Sequence, residues 1–442
     1  MSPPQLLATG LSLVILVGTL LLVTPLAGVD GVSIGWSAAL FTATSAVCVT
    51  GLIVVDTPTA FSAFGQAVIL VLIQIGGLGY MTLATFISMM IGRRISMDDQ
   101  ASLQESLNLD SRRDVARFAL SVVKVTLVFE AAGALILAAR WWPEFGAADA
   151  AWLGLFHSVS AFNNAGFSLF SNNLMNWRGD LVINLTIMAL IIAGGIGYLV
   201  LADLARWRSQ RRLSMHSRFV IRVSAALIAV GAAGLYLVER GNPLTLGAIT
   251  RSEATLAAVF QSVTARTAGF NSIDMAALSP PSYLFLLVLM FIGGGPGGTA
   301  GGIKVSTFGV TVMALWATIR GMREPHVLKR RIPGDVVARA FFISLIAFLS
   351  MNLVAGALLV MEGTALLATL FESASAFGTV GLSTGVPGTP LSLSASFSEP
   401  GRLLICLLMF AGRIGPLTLA FALAARQTAP RVRYPEGRVL IG

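Results

Sequence analysis

The sequence has little charge, little histidine and almost no cysteine. Only 12% of its 442 residues are charged and 55% are hydrophobic, whereas globular proteins usually carry about 25% charged residues. This composition indicates an integral membrane protein. Two cysteines, Cys48 and Cys406, are too few for a disulfide framework. The three histidines, His157, His216 and His326, lie far apart in the sequence and no metal-ligand spacing occurs, so an enzyme is not expected.

Basic residues give the chain a formal net charge of +9, and they are unevenly placed. They cluster within 93–94, 206–222, 320–339 and 426–438, each just beyond an apolar segment. This positive-inside pattern predicts that the clusters and both chain termini face the cytoplasm, close to anionic lipid headgroups. No nucleic-acid-reading motif accompanies the charge, so we expect membrane lipids and no nucleic acid as partners.

Eight apolar segments are long enough to cross a bilayer, which takes about 20 residues. They lie near 5–27, 66–91, 114–140, 181–204, 217–239, 282–319, 337–361 and 402–425. The first segment lacks the basic start and the small-residue cleavage site of a signal peptide, so we interpret it as a membrane helix. Eight crossings place both termini on the same side of the membrane.

The semi-apolar segments left between these spans reveal an internal repeat. They align on Gly51, Gly166, Gly269 and Gly381, which are separated by 115, 103 and 112 residues. Glycines also interrupt each inner span, in QIGGLGYMT, IAGGIGYLV, FIGGGPGGTAGG and FAGRIGPLT. We predict an all-α integral membrane protein of four tandem repeats, 1–95, 96–213, 214–331 and 332–442, around one pseudo-fourfold pore. Each repeat would contain an outer helix, a re-entrant pore helix, an extended filter strand and an inner helix.

The aligned glycines predict a cation selectivity filter. Irregular backbone at membrane depth is tolerated where it lines a water-filled cavity, and rings of backbone carbonyls replace the hydration shell of a cation. The predicted filter loops consist of Val49, Thr50, Gly51, Asn164, Ala165, Gly166, Thr267, Ala268, Gly269, Thr379, Val380 and Gly381. Glycine suits the narrowest position because it adopts positive φ without steric cost. The alternative is that each glycine simply caps a short helix.

Two aspartates follow the predicted filter at the same distance. Asp56 and Asp274 lie five residues past Gly51 and Gly269, respectively. Carboxylates at a pore entrance raise the local concentration of cations, whereas aspartates in loops commonly cap turns. The sequence leaves both roles open.

The third inner span contains a glycine-rich segment that cannot remain helical. It comprises Gly293, Gly294, Gly295, Pro296, Gly297, Gly298, Thr299, Ala300, Gly301 and Gly302. A nucleotide-binding P-loop is rejected because Ile303 separates Gly302 from Lys304. The aligned site of the fourth repeat carries Arg413, which is costly at membrane depth unless it is paired. We predict that this gate loop, with Thr299 facing the pore, and Arg413 block the pore from below. The alternative is that Arg413 snorkels or pins two helices together.

Four segments, TSAVCVTGLIVVDT, NNAGF, RTAGFN and GGGPGGTAGGIKVST, resemble the KtrB/TrkH (Trk/Ktr/HKT) superfamily of potassium-translocating membrane subunits. The first outer helix begins near Met1, as in the KtrB-like branch. The resemblance implies a homodimer in the bacterial plasma membrane, with one pore per protomer. It also implies a cytosolic ring of nucleotide-binding regulatory subunits of the RCK, KtrA-like type.

The resemblance further implies potassium as the substrate, bound at the filter carbonyls, and sodium as an activator. It implies no covalent cofactor, with nucleotide acting only through the partner subunit. Related plant transporters that select sodium carry a serine at the first filter position, so Gly51 favours potassium. The gate loop and Arg413 correspond by motif position to the gate elements of the family.

Together these features predict potassium uptake through a selective, channel-like pore gated by an intramembrane loop. A Na⁺- or H⁺-coupled secondary transporter with alternating access is the alternative, because such transporters also contain broken helices at the midplane. Four repeats of one orientation around an axis favour the pore. Glu130, within the third span, either marks a proton route or, as we expect, hydrogen-bonds to a neighbouring helix.

Overall fold

The computed structural model describes residues 3–79, 112–322, 324–328 and 330–415, and this part of the chain is mostly helical. Its helices are α1 (Pro3–Leu22), α2 (Trp36–Val47), α3 (Thr57–Ala60), α4 (Ala63–Leu78), α5 (Arg112–Phe145), α6 (Ala147–Phe162), α7 (Leu181–Gly195), α8 (Tyr198–Gln210), α9 (Met215–Glu239), α10 (Arg251–Thr264), α11 (Pro280–Phe291), α12 (Val305–Ile319), α13 (Gly334–Glu362), α14 (Leu366–Gly378) and α15 (Glu399–Ile414). The expectation of an all-α protein needs one small correction. His326–Val327 (β1) pairs antiparallel with Arg330–Arg331 (β2), and Leu328 between them has the positive φ that helps to reverse the chain.

Four of the described helices are long and apolar enough to cross a membrane. They contain Gln5–Leu22, Ala119–Phe145, Met215–Glu239 and Gly334–Glu362. Large apolar side chains cover their outer surfaces; Leu353 and Val360 on α13, for example, are 76% and 88% exposed. Side chains of this kind avoid water and are stable against lipid tails, so the chain is a multi-pass membrane protein.

Two of the inner spans predicted from the sequence are broken helices in the described residues. Segment 181–204 forms α7 and α8, which are bent by 106° at their junction, and segment 282–319 forms α11 and α12 with a loop between them. Gly79, Gly197 and Gly415 have φ of +77°, +101° and +93° at the ends of α4, α7 and α15. Only glycine adopts such angles readily, so the predicted glycine interruptions are confirmed here. The remainders of spans 66–91 and 402–425 lie outside the described residues.

Four shorter helices, α2, α6, α10 and α14, occupy the buried centre of the molecule. The first of them, α2, has nine buried residues among its twelve. Each short helix packs against the long helix that precedes it in the sequence. Phe41, Phe156 and Phe371, ten residues before three of the aligned glycines, are fully buried, and in α10 the neighbouring Phe260 takes this place. Burial of these rings, worth about 2–3 kcal/mol each, holds the short helices and directs all four predicted filter loops inward.

Two of the three predicted repeat boundaries lie within the described residues, and one lies outside them. The boundary at 213/214 lies between α8 and α9, and that at 331/332 lies between β2 and α13. The boundary at 95/96 and the basic clusters 93–94 and 426–438 lie outside the described residues.

Candidate ion pore

The four aligned glycines meet in one closed ring of backbone. Each glycine is in contact with the filter loop of the next repeat along the chain, and the fourth returns to the first. A Cβ atom at any of them would lie under 3.0 Å from a carbonyl oxygen of that neighbouring loop. In order from Gly51, Gly166, Gly269 and Gly381, the carbonyls belong to Ala165, Ala268, Val380 and Thr50. The ring therefore has no room for a side chain at these positions.

The same backbone conformation occurs in all four filter loops. The glycines have φ between +71° and +93°, and the residues two positions earlier, Val49, Asn164, Thr267 and Thr379, have φ between +50° and +73°. The residue between them has negative φ in each loop. Because positive and negative φ alternate along each loop, successive carbonyls point towards the same side of the chain. A ring of cation-binding carbonyls requires this arrangement. Positive φ is costly for residues other than glycine, so the surrounding contacts must hold it.

Hydroxyl groups on the short helices hold three of these loops. Ser45 Oγ accepts a hydrogen bond from Gly51 N, and Ser375 Oγ accepts one from Gly381 N, both at 3.0 Å. In the second repeat, Ser160 Oγ donates to the carbonyl of Phe167 at 2.8 Å. The third repeat has Val263 at this position. The alignment of the sequence contains these serines six residues before the glycine, but their anchoring role is visible only in the structure.

A cavity of about 450 Å³ opens on the outer side of the ring. This mouth cavity is lined by the four glycines and by residues that follow them, including Asp56 and Asp274. Asp56 also accepts hydrogen bonds from Thr59 Oγ1 and Ser171 Oγ at 2.8 and 2.6 Å, and Asp274 accepts one from Ala276 N at 2.9 Å. The two roles left open by the sequence are thus compatible, because the carboxylates line the entrance and order its loops.

The gate loop, residues 293–302, lies directly beneath the ring. Its backbone is bonded to the end of α7: Gly295 N donates to Gly195 O at 2.7 Å, and Thr299 N donates to Gly194 O at 3.1 Å. Thr299 is fully buried, and its hydroxyl donates to the carbonyl of Phe162 at the end of α6. The prediction that Thr299 faces the pore stays a prediction, and its hydroxyl also contacts Asn164 of the second filter loop at 3.2 Å.

Arg413 joins the gate loop to the first repeat. Its two terminal nitrogens donate to the carbonyls of Thr299, in the loop, and Gly76, near the end of α4. The structure thus brings together the loop and the arginine that the sequence placed in the gate. The same contacts hold two inner segments together. The geometry is therefore compatible with both roles considered for Arg413, gating and the pinning of helices.

A second buried arginine, Arg266, was not singled out in the sequence. It immediately precedes Thr267 of the third filter loop and is 9% exposed. Its guanidinium donates to the carbonyl of Gly293, the first residue of the gate loop, at 3.2 Å, and to Ser224 O and Oγ of α9 at 3.3 Å. The signal that identified Arg413, a cation within an apolar segment, applies equally to Arg266.

Glu130 takes the hydrogen-bonding role expected from the sequence. Its carboxylate accepts hydrogen bonds from Gln74 Nε2 of α4 at 3.2 Å and from Asn163 Nδ2, at the end of α6, at 2.8 Å. Asn163 directly precedes the second filter loop, so this cluster supports the loop from behind. The sequence did not indicate Gln74 or Asn163, because their contacts join helices far apart in the chain.

Several known proteins have sequences similar to that of this chain. The family model TrkH, described as a cation transport protein, matches residues 12–431. The chain is 41% identical to "Ktr system potassium uptake protein B" of Bacillus subtilis, over 100% of this chain and 97% of the relative. It is 40% identical to the protein of that name from Vibrio alginolyticus, over 99% and 95%. It is 35% identical to "Potassium/sodium uptake protein NtpJ" of Enterococcus hirae, over 100% and 98%.

A solved structure shares the fold. The potassium transporter TrkH from Vibrio parahaemolyticus superposes with a TM-score of 0.74 at 19% identity, covering 94% of this chain and 85% of that one. The family resemblance inferred from the filter and gate motifs is confirmed by these matches. The chain belongs to the TrkH family of cation transport proteins, with Ktr-type potassium uptake proteins among its relatives.

Proposed function

We propose that the protein takes up potassium through a selective, channel-like pore whose filter is the ring of four loops. The observation that carries this proposal is the closed cyclic contact of the loops, each with the same alternation of φ. A ring of carbonyls of this kind can replace the water around a dehydrated cation, and it needs no carboxylate in the filter itself. The relatives from Bacillus subtilis and Vibrio alginolyticus are named potassium uptake proteins, which supports potassium as the ion.

The architecture under this proposal is four tandem repeats, 1–95, 96–213, 214–331 and 332–442, around one axis, with eight membrane segments. The order of long helix, short helix, filter loop and inner helix, found four times in the described residues, supports it. The basic clusters support a cytoplasmic location for both termini. The proposed location of the protein is the bacterial plasma membrane.

The gate proposed here is the loop 293–302 together with the arginines that hold it. The loop lies beneath the ring and is bonded to α7, to Arg266 and to Arg413, so the described conformation represents a closed pore. Opening requires these contacts to break. We assign that task to a cytosolic nucleotide-binding ring that engages the homodimer, with sodium as an activator. The relative described as a potassium/sodium uptake protein supports a role for sodium.

The experiment that separates a pore from a coupled transporter is tracer uptake into liposomes. The purified chain is reconstituted with internal potassium, and rubidium uptake is driven by the potassium gradient alone, with no gradient of sodium or protons. A pore accumulates the tracer under these conditions, and adding a sodium or proton gradient changes little. Uptake that requires such a gradient would instead establish the Na⁺- or H⁺-coupled transporter. Vesicles without protein and vesicles with the cytosolic partner added are run in parallel.

A further inference from the structure

Two of the short helices carry a titratable side chain in the same position behind the mouth cavity. His157 of α6 and Glu372 of α14 each lie nine residues before the filter glycine, and both are fully buried. Each contacts the serine two residues after that glycine: His157 Nε2 lies 3.0 Å from Ser168 Oγ, and Ser383 Oγ donates to Glu372 Oε2 at 2.6 Å. Both serines line the mouth cavity. These contacts connect the helix behind the filter with the backbone that leaves it.

The other two repeats lack this connection. The equivalent pairs are Thr42 with Ile53 and Phe260 with Asn271. Each pair contains one apolar side chain, so neither forms this side-chain hydrogen bond. In the cyclic order of the ring, the second and fourth repeats are opposite one another. The mouth is thus braced at two facing walls, by an imidazole on one side and by a carboxyl group on the other.

Glu372 makes more contacts than its counterpart. Its Oε1 accepts hydrogen bonds from Ser394 N and Ser394 Oγ at 2.9 and 2.5 Å, while Oε2 binds Ser383. No basic side chain pairs with Glu372 within the described ranges of the chain. An ionisable group buried at membrane depth without a counter-charge is a functional candidate by default. Its two oxygens hold two separate segments at once, through Ser383 and through Ser394.

The segment held by Glu372 reaches the first repeat. Residues 382–392 supply a large part of the mouth cavity wall. At its end, Ser392 N donates to Ile53 O at 3.0 Å, and Ile53 N donates to Ser392 Oγ at 3.0 Å. Ile53 lies two residues beyond Gly51. Glu372 therefore fixes the wall that joins the fourth filter loop to the first.

We propose that Glu372 is a positioning residue for ion selection: through Ser383 and Ser394 it fixes the outer end of the fourth filter loop and the adjoining mouth wall. The proposal rests on the potassium pore proposed above, and Glu372 itself does not touch the ion. A loop that is free to shift by a few tenths of an ångström adapts its carbonyls to the smaller sodium ion. Loss of this brace is then expected to lower discrimination between potassium and sodium before it abolishes flux.

The test compares Glu372→Gln with Glu362→Gln in liposomes, measuring potassium and sodium flux separately. Glu362 is a matched control because it makes the same pair of contacts, from Ser398 N at 3.0 Å and Ser398 Oγ at 2.5 Å, and among the described residues it lies outside the mouth lining. We expect Glu372→Gln to lower the K⁺/Na⁺ flux ratio by roughly tenfold, as for loss of a charge-assisted hydrogen bond. Glu362→Gln should leave that ratio unchanged.

Ser383→Ala provides an independent second variant, which removes one hydroxyl at the cavity wall and is a milder change for folding. It should lower the flux ratio in the same direction, because it removes the hydroxyl that binds Glu372 and that also accepts hydrogen bonds from Gly385 N and Leu393 N at 3.1 and 2.8 Å. An unchanged ratio in folded Ser383→Ala and Glu372→Gln proteins would overturn the proposal. So would an unchanged ratio in Ser383→Ala alone, if Glu372→Gln fails to fold. Absence of selectivity in the wild type would refute the proposed potassium pore instead.

Discussion

The filter ring and the layer directly beneath it are built on opposite plans. In the ring, four loops share one conformation and meet through backbone at their glycines. Below it, the described inner segments depart from this equality: the second bends by 106°, the third contains the gate loop, and the fourth carries Arg413. A spherical ion is best surrounded by equal groups, whereas a gate needs one part that moves against others that stay. Under the proposed function, ion selection depends on the repetition in the ring, and gating depends on the departure from it in the layer beneath.

The largest effect on this comparison is expected from Gly51→Ser, which breaks the equality of the ring. A Cβ at this position lies 2.5 Å from Ala165 O, and the residue has φ of +90°. Positive φ in a residue other than glycine costs about 1–3 kcal/mol, so the loop must shift. We expect the K⁺/Na⁺ flux ratio in liposomes to fall by roughly tenfold or more.

The control for this substitution is Gly356→Ser in α13, where an added Cβ meets no atom within 4 Å. It should leave both fluxes and their ratio unchanged. Full potassium selectivity in Gly51→Ser would show that the ring does not select the ion.

Arg413→Ala is expected to change the lower layer and to spare the ring. It frees the carbonyls of Thr299 and Gly76 and loosens the gate loop. Potassium flux measured without any cytosolic partner should rise by roughly tenfold, as for a shift of about 1.4 kcal/mol in the closed–open equilibrium. The K⁺/Na⁺ ratio should stay close to that of the wild type.

Arg402→Ala is the matched control, because Arg402 lies on the same helix and donates to the carbonyl of Ala395 at 2.6 Å, away from the gate loop. Its partner-free flux should match the wild type. Unchanged or lower flux in a folded Arg413→Ala protein would favour the view that this arginine only pins helices.

Arg266→Gln probes a side chain that directly precedes the third filter loop and contacts the gate loop. Glutamine keeps a hydrogen-bond donor but cannot reach Gly293 and Ser224 together, so both the loop and the third filter loop lose support. We expect a smaller rise in partner-free potassium flux, roughly threefold, accompanied by a small fall in the K⁺/Na⁺ ratio. If the potassium flux changes while the K⁺/Na⁺ ratio stays constant, Arg266 acts on the gate loop and not on the third filter loop.

The smallest effect is expected from Asp274→Asn at the mouth. The carboxylate attracts cations from solution but lies beyond the ring, and salt screens such attraction over about 10 Å at 0.1 M ionic strength. Potassium flux should fall by less than about twofold at low ionic strength, and the difference should vanish above ~0.5 M salt. A loss that persists in high salt would point to loop ordering by Asp274 as its main role.

The sequence predicted the features that depend on local chemistry. Glycine spacing identified the four loops that meet in the ring, and the interruption of the third inner span agreed with the structure. These features follow from backbone properties of glycine and proline, which are readable within a few residues. The four-repeat arrangement as a whole stays a prediction.

The sequence could not predict contacts between distant segments. The bonds from Arg266 to Gly293, from Asn163 to Glu130 and from Glu372 to Ser394 depend on how the helices pack. The glycines of α7 indicated a break, but its angle of 106° is set by neighbouring helices. The bond from the Thr299 hydroxyl to the carbonyl of Phe162 could not be predicted for the same reason, because Phe162 lies in a distant segment.

The covalent continuity of the four filter loops has a genetic consequence. In a pore assembled from four identical subunits, one codon change alters four walls at once, and intermediate forms are not accessible. Here the ring closes within a single chain, and each of its glycines is encoded separately. Under the proposed function, ion preference can therefore change, in evolution or by engineering, one loop at a time.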